Sequence, residues 1–359
     1  MKPDDSAAAP DLPPAGGSLR IALGGFLMGL ANLVPGVSGG TMILAMGLYE
    51  RFIESVSNVT RFKLSRPTVQ FCLLLGAGLV VAILSLSGPF VWLVREHRWV
   101  AYSLFVGMTL GGVPALLALA RPFKMAEVLC FVVGLGLMLA VAFGLRDTVL
   151  SPSLGVLLIV GAAASASMIL PGVSGSYILL ILGLYDVVWS AVRPEALKSD
   201  LRGSLELLIP LGIGVVLGIG LLSNILRVLL ARSPRPTHAA LLGLLLGSIV
   251  GLWPFQDAKH PVLASKPGVE ATQMALAEGT EAEILAETGL SLSAGELAQL
   301  RVDYAGKSRG DLKKLGLQLE RFRPQSTQVL IALALLVAGF ILTRKLGVEE
   351  SEGDRTPVA

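Results

Sequence analysis

Six apolar stretches constrain this 359-residue chain more than any other feature: residues 68–94, 99–119, 123–145, 205–230, 237–254 and 325–342. Most approach or exceed the roughly 20 residues that a helix needs to cross a bilayer. Backbone in lipid must satisfy its own N–H and C=O groups, so such stretches are expected to be helices. Composition agrees, since 53% of the residues are hydrophobic and only 15% charged, against about a quarter charged in a soluble domain. The mean hydropathy is +0.72. The expected class is an all-α polytopic membrane protein, with many of its 41 glycines serving close helix packing.

The same composition excludes several functions. A net charge of +3 fits anchoring charges at a membrane face and gives no reason to expect nucleic acid. Cys72 and Cys130 both lie inside apolar stretches, so neither a disulfide nor a thiolate metal site is expected. No His, Cys, Asp or Glu cluster has metal-ligand spacing, and no Walker-type phosphate loop occurs. No cofactor, metal or ATP-driven step is therefore expected. Residues 1–18 are acidic and proline-rich without the basic region of a secretory signal, and read as a disordered cytoplasmic tail.

One motif interrupts the apolar pattern twice. The stretch from Leu33 to Glu50 aligns without a gap on Ile169 to Asp186, and nine of the eighteen positions are identical, PGVSG among them. The offset of 136 also pairs Gly25 with Gly161, Gly76 with Gly212, Gly78 with Gly214, Gly107 with Gly243 and Gly111 with Gly247. Such self-similarity marks an internal repeat. The divisions are 19–146 for the first repeat, 151–256 for the second, 257–324 for a hydrophilic insertion and 325–345 for the second repeat's last helix. Each repeat carries a broken or re-entrant helical hairpin and three transmembrane helices. An odd number of crossings per half requires opposite orientations, the inverted-topology plan of many secondary transporters. Loop Lys and Arg favour both termini in the cytoplasm. The insertion then lies outside, where "SAGELAQL" carries the capping-box pair Ser293 and Glu296 and "DLKKLGLQLERF" suggests a surface helix.

The break has a chemical reading. Pro35 lacks an N–H and disfavours a helical conformation at Val34, Gly36 and Gly39 allow unusual backbone angles, and Ser38 is a good N-cap for the next helix. The arms are short for full crossings, which favours a re-entrant hairpin. A helix beginning at such a break presents unpaired N–H groups and its positive dipole end, which attract anions. The substrate-binding candidates are Asn32, Pro35, Gly36, Ser38, Gly39, Gly40 and Thr41 from one copy, with Pro171, Gly172, Ser174, Gly175 and Ser176 from the other. The plainer alternative is that Pro and Gly merely kink packed helices. Glu50 and Asp186, matched after "GLY", are candidates for proton coupling, or else interfacial acids beside Tyr49 and Tyr185 as belt aromatics. Arg95 and Arg227 could escort a phosphate, although snorkelling anchors are commoner.

"GVSGG" also matches the G-x-S-x-G nucleophile pattern. A serine nucleophile needs a base, and of His97, His238 and His260 only His238 begins an apolar segment. The second copy, "GVSGS", breaks the pattern. An intramembrane serine hydrolase is thus a weak competitor, and the chain is expected not to be an enzyme.

The doubled PGVSG element, each followed by "GLY" and an acid, together with "GLWPFQ" at 251–256, resembles the DUF368 family of bacterial membrane proteins, the PopT polyprenyl-phosphate transporters. The resemblance covers about 20–256 and the final helix. It implies a multi-pass protein of the bacterial cytoplasmic membrane. Its implied substrate is a membrane lipid, undecaprenyl phosphate, carried from the outer to the cytoplasmic leaflet for reuse in envelope synthesis. The competing transport class is a carrier of a small soluble anion on the same inverted design. A homodimer is the one protein assembly considered.

Overall fold

The computed structural model describes residues 17–33, 37–144, 150–182, 184–192, 198, 200–316 and 318–353. In the first half the broken motif yields α1 (Ser18–Asn32), α2 (Gly39–Ala45) and α3 (Tyr49–Thr60), and the longer apolar stretches yield α4 (Arg66–Glu96), α5 (Arg98–Ala120) and α6 (Met125–Gly144). The second half repeats the order with α7 (Leu154–Ile169), α8 (Gly175–Ile181), α9 (Tyr185–Val192), α10 (Leu201–Arg232) and α11 (Pro234–Gly251). The insertion contributes α12 (Lys266–Leu276), α13 (Glu281–Thr288), α14 (Ala294–Asp303) and α15 (Arg309–Gly316), after which α16 (Ser326–Gly353) closes the chain. Among the described residues, Arg66–Leu86, Arg98–Ala120, Leu201–Arg232 and Ser326–Leu346 are long and apolar enough to cross a membrane. The chain is an all-α polytopic membrane protein. Its only described sheet is an antiparallel pair, β1 (Gln256–Ala258) with β2 (Leu319–Arg321).

Glycines explain how the helices pack. A Cβ on Gly25 of α1 would lie 2.0 Å from the Leu75 carbonyl of α4, and one on Gly78 of α4 would lie 2.0 Å from the Ala22 carbonyl of α1. Two backbones touch there because neither glycine carries a side chain. The same contact recurs 136 residues later, where Gly161 of α7 faces the Leu211 carbonyl and Gly214 of α10 faces the Leu158 carbonyl. Gly76 and Gly212 share the offset yet would meet nothing within 4 Å. We have no packing account of that pair.

The last helices are exchanged between the halves. Gly107 of α5 abuts the Leu336 carbonyl of α16, while its repeat partner Gly243 of α11 abuts the Phe131 carbonyl of α6. Gly111 meets Thr343 as Gly247 meets Met138, and Gly339 meets the Leu104 carbonyl as Gly134 meets that of Ala240. Phe131, Gly134 and Met138 thus correspond to Leu336, Gly339 and Thr343 at a spacing of 205, the insertion having lengthened the original offset. One apolar core joins these helices, with Ile43, Met46 and Leu48 near α2 beside Phe71, Leu241 and Leu245.

Residues 254–330 and 93–101 form a separate compact unit. Its core holds Leu263, Val269, Ala271, Ile284, Leu297 and Leu312. Ser293 and Glu296 make the capping box that their spacing indicates, and Thr280 with Glu283 makes a second. Hydrogen bonds from the cap N–H and hydroxyl groups hold both carboxyls below the usual range. The expected helix through "DLKKLGLQLERF" stops at Gly316, and Leu319–Arg321 is strand instead. Tight packing sets the stop: a Cβ at Gly316 would come 2.1 Å from the Leu263 carbonyl, and Phe322 N–H then bonds the Phe255 carbonyl at 3.3 Å.

Gly25→Val and Gly243→Val force apart backbones that cannot yield, at a cost of at least about 2 kcal/mol each, and lower the melting temperature in detergent, whereas Gly76→Ala leaves it unchanged. A Gly243→Val protein that melts with the wild type would refute the contact. Ser293→Ala removes one cap acceptor and raises amide exchange across the first turn of α14 about fivefold; because the Glu296 carboxyl is held low, this protection is present above the ordinary carboxylate range near pH 4 and disappears on further acidification.

Candidate functional site

Breaking a helix strands backbone groups, and the two broken motifs satisfy one another's. The last carbonyls of α7, at Met168, Ile169 and Leu170, lie against Gly40 at the start of α2; a Cβ there would come within 3.0 to 3.3 Å of all three oxygens. Ser38 donates its hydroxyl to the Leu170 carbonyl at 3.0 Å. In return Gly172 donates its N–H to Thr41 Oγ1 at 2.8 Å. Gly172 sits at φ +90°, and a Cβ would also come 2.8 Å from the Leu244 carbonyl, so only glycine serves there. The amino end of α2 and the carboxyl end of α7 are opposite dipole poles, which favours the contact.

The candidates differ in what they can offer a ligand. Ser38, Thr41 and Ser174 are buried. Ser174 and Ser176 hydroxyls lie 2.9 Å apart, and Ser176 is exposed. Gly39 packs against Met28 and the exposed Asn32, whose Oδ1 would be 3.0 Å from a Cβ; its equivalent Gly175 packs against Ala164 and Met168. Pro171 is buried within the second tip. Pro35 and Gly36 lie outside the described residues, as do the side chains of Tyr185 and Asp186 and the surroundings of Arg95.

Tyr49 departs from the expectation of a belt aromatic. It is buried, and its hydroxyl donates to the Ile169 carbonyl at 3.2 Å, another orphan acceptor at the end of α7. Glu50, the next residue, meets His238 of α11, with Oε1 3.1 Å from Nε2. The acid side chain is 65% exposed and the imidazole only 4%. The hydrogen bond from His238 holds the Glu50 carboxyl below its usual range, against an opposing effect of burial. The other ring nitrogen, Nδ1, lies 2.6 Å from the Pro234 carbonyl. His238 is therefore engaged with an acid and a carbonyl rather than a serine, so the Ser–His pair that a hydrolase needs is not formed by these bonds.

Three further residues escape a motif-based reading. Arg20, buried in the first turn of α1, donates through Nη2 and Nε to the Met46 carbonyl at 2.6 and 3.2 Å and closes the carboxyl end of α2. Asn224 of α10 accepts from Ser57 at 2.8 Å and donates to Thr60 at 3.2 Å, which ties α3 to α10. His238 is the third. A lone Arg, Asn or His in an apolar helix was the available signal. Arg227, one turn beyond Asn224, has a buried Nε without a hydrogen-bond partner among the described residues. Among the described residues no group of three His, Cys, Asp or Glu could hold a metal ion.

Comparisons with known proteins bear on this arrangement. Residues 28–268 match the family described as undecaprenyl phosphate translocase-like. A polyprenyl-phosphate transporter of Vibrio cholerae is 32% identical over 254 residues, covering 67% of this chain and 79% of that protein. One from Staphylococcus aureus is 32% identical over 243 residues, covering 65% and 85% respectively. No solved structure matches the chain. The matched region contains both PGVSG tips and the helices that bring them together, and the chain belongs to the undecaprenyl phosphate translocase-like family.

Proposed function

We propose that this protein carries undecaprenyl phosphate from the outer to the cytoplasmic leaflet of the bacterial cytoplasmic membrane, returning the carrier for another round of envelope synthesis. Relatives named polyprenyl-phosphate transporters support the substrate class. The supporting observation within the chain is the reciprocal contact of the two tips, Ser38 to Leu170 and Gly172 to Thr41. A lipid phosphate needs donors for its head only, because its tail stays in hydrocarbon. In this reading the contact is the closed state. Opening it releases the Ser38 hydroxyl and the Gly172 N–H, which the phosphate oxygens then accept, and Ser174 and Ser176 complete the cradle.

The halves are inverted, both termini lie in the cytoplasm, and rocking of one half against the other presents the cradle to each leaflet in turn. Glu50 and Asp186 are the acids on which coupling to protons would rest. The protein performs no bond chemistry; it exchanges its own hydrogen bonds for those of the passenger.

Vesicles reconstituted with the protein and labelled undecaprenyl phosphate test the proposal. Wild-type protein is expected to equilibrate the lipid between leaflets and to leave inorganic phosphate outside. Hydrogen bonds to charged groups contribute about 1.5–3 kcal/mol each, so Ser38→Ala with Ser174→Ala is expected to slow exchange at least about tenfold in protein that still inserts and folds. Uptake of inorganic phosphate without lipid exchange would replace the lipid reading with a soluble-anion carrier, and a fully active double variant would remove the tips from the binding site.

A further inference from the structure

The His238 ring is hemmed in by acceptors on both sides. A carbonyl oxygen can only accept, so Nδ1 at 2.6 Å from the Pro234 oxygen carries a proton. Nε2, 3.1 Å from Glu50 Oε1, then has two ways to make its bond. Either Nε2 is protonated and donates to an ionised carboxylate, or Glu50 is protonated and donates to the Nε2 lone pair. Each requires one proton more than the neutral ring and the ionised acid hold separately. We infer that Glu50 and His238 hold one dissociable proton between them and that its presence fastens α3 to α11.

The surroundings decide where that proton rests. On α3 the charged neighbours are Arg51, stacked over the Phe71 ring at 5.2 Å, and Glu54, while α2 carries no titratable side chain. Tyr49 on α3 is committed to the Ile169 carbonyl. α10, packed along α3, supplies Arg227 and Arg232 near its end, and α11 supplies Arg235. α6, packed along α11, supplies Cys130 and Glu127, which accepts from Lys124 N–H at 2.9 Å. Among the described residues neither Glu50 nor His238 makes another ion pair. The hydrogen bond from His238 favours an ionised Glu50, so the proton sits on the buried imidazole. The exposed carboxylate is its route to water.

Loss of the proton leaves the Nε2 lone pair facing a carboxylate, and the link between α3 and α11 becomes repulsive. α3 follows α2 after the tight turn at Gly47, whose φ is +69°. α2 in turn begins with Ser38 and Thr41. Protonation therefore holds α2 in the position from which its start meets the second tip, and deprotonation releases it. The repeat partner of His238 is Tyr102, and that of Glu50 is Asp186, so only one half has an imidazole at this place. The effect on transport rests on the function proposed above; the shared proton does not.

The chain has three histidines, which makes the ring directly observable. In protein labelled with 15N-histidine, the resonance lost in His238→Gln identifies the residue. We expect Nδ1 and Nε2 both to carry protons in the folded protein at pH 7, and the midpoint of the ring's titration to depend on Glu50. Glu50→Gln is expected to lower the midpoint by at least one unit, about tenfold in proton affinity. An unprotonated Nε2 at pH 7, or a midpoint indifferent to Glu50→Gln, overturns the inference. In vesicles, the rate of labelled undecaprenyl phosphate exchange in wild-type protein should change at least about tenfold between pH 6 and 9, and Glu50→Gln should flatten that profile. Persistence of the profile in the variant overturns the coupling, whereas a wild-type protein that exchanges no lipid at any pH refutes the transport reading and leaves the ring titration intact.

Discussion

Unpaired backbone polar groups are costly away from water, and this constraint governs the membrane part of the protein. Ending α7 at Ile169 strands its final carbonyls. The first half of the chain accounts for them: Ser38 takes the Leu170 oxygen, Tyr49 takes the Ile169 oxygen, and Gly40 lets the start of α2 come close enough for the arrangement to hold. Thr41 then accepts the Gly172 N–H. Neither broken motif is complete alone. The mutual dependence gives two interrupted helices a defined geometry, and Arg20 does similar work at the far end of α2 through the Met46 carbonyl.

Backbone contact also sets how the remaining helices stack. At Gly25, Gly78, Gly161 and Gly214 a carbonyl occupies the space of a missing side chain. In lipid no hydrophobic force drives apolar helices together, so close van der Waals contact at small residues carries the association. The pairings recur at a constant offset because the two halves are built to the same plan of contacts.

Much of this was legible in the sequence. The apolar stretches delimited the helices, and the offset of 136 picked out the glycines at four interhelical contacts. What could not be read was which partner each polar side chain would choose. Tyr49 looked like an interfacial aromatic because its distance from the break at Ser38 was legible and its rotation toward α7 was not. His238 looked like a poor catalytic base, since nothing in the spacing placed it against Glu50, 188 residues earlier. The strand at Leu319–Arg321 was hidden for the same reason: its partner, Gln256–Ala258, lies across the whole insertion. Gly76 and Gly212 matched the repeat, yet a Cβ at either would meet no described atom of another helix within 4 Å, so identity between the copies is not by itself a contact.

The exchange of final helices between the halves bears on biosynthesis. α6 emerges from the ribosome well before α11, and α5 offers the bare faces of Gly107 and Gly111 until α16 arrives roughly two hundred and thirty residues later. Through that interval the nascent chain presents a small-residue groove within the membrane, and the insertion must be made before it can be filled. Premature termination anywhere between Gly251 and Ser326 therefore leaves the first half with one flank open.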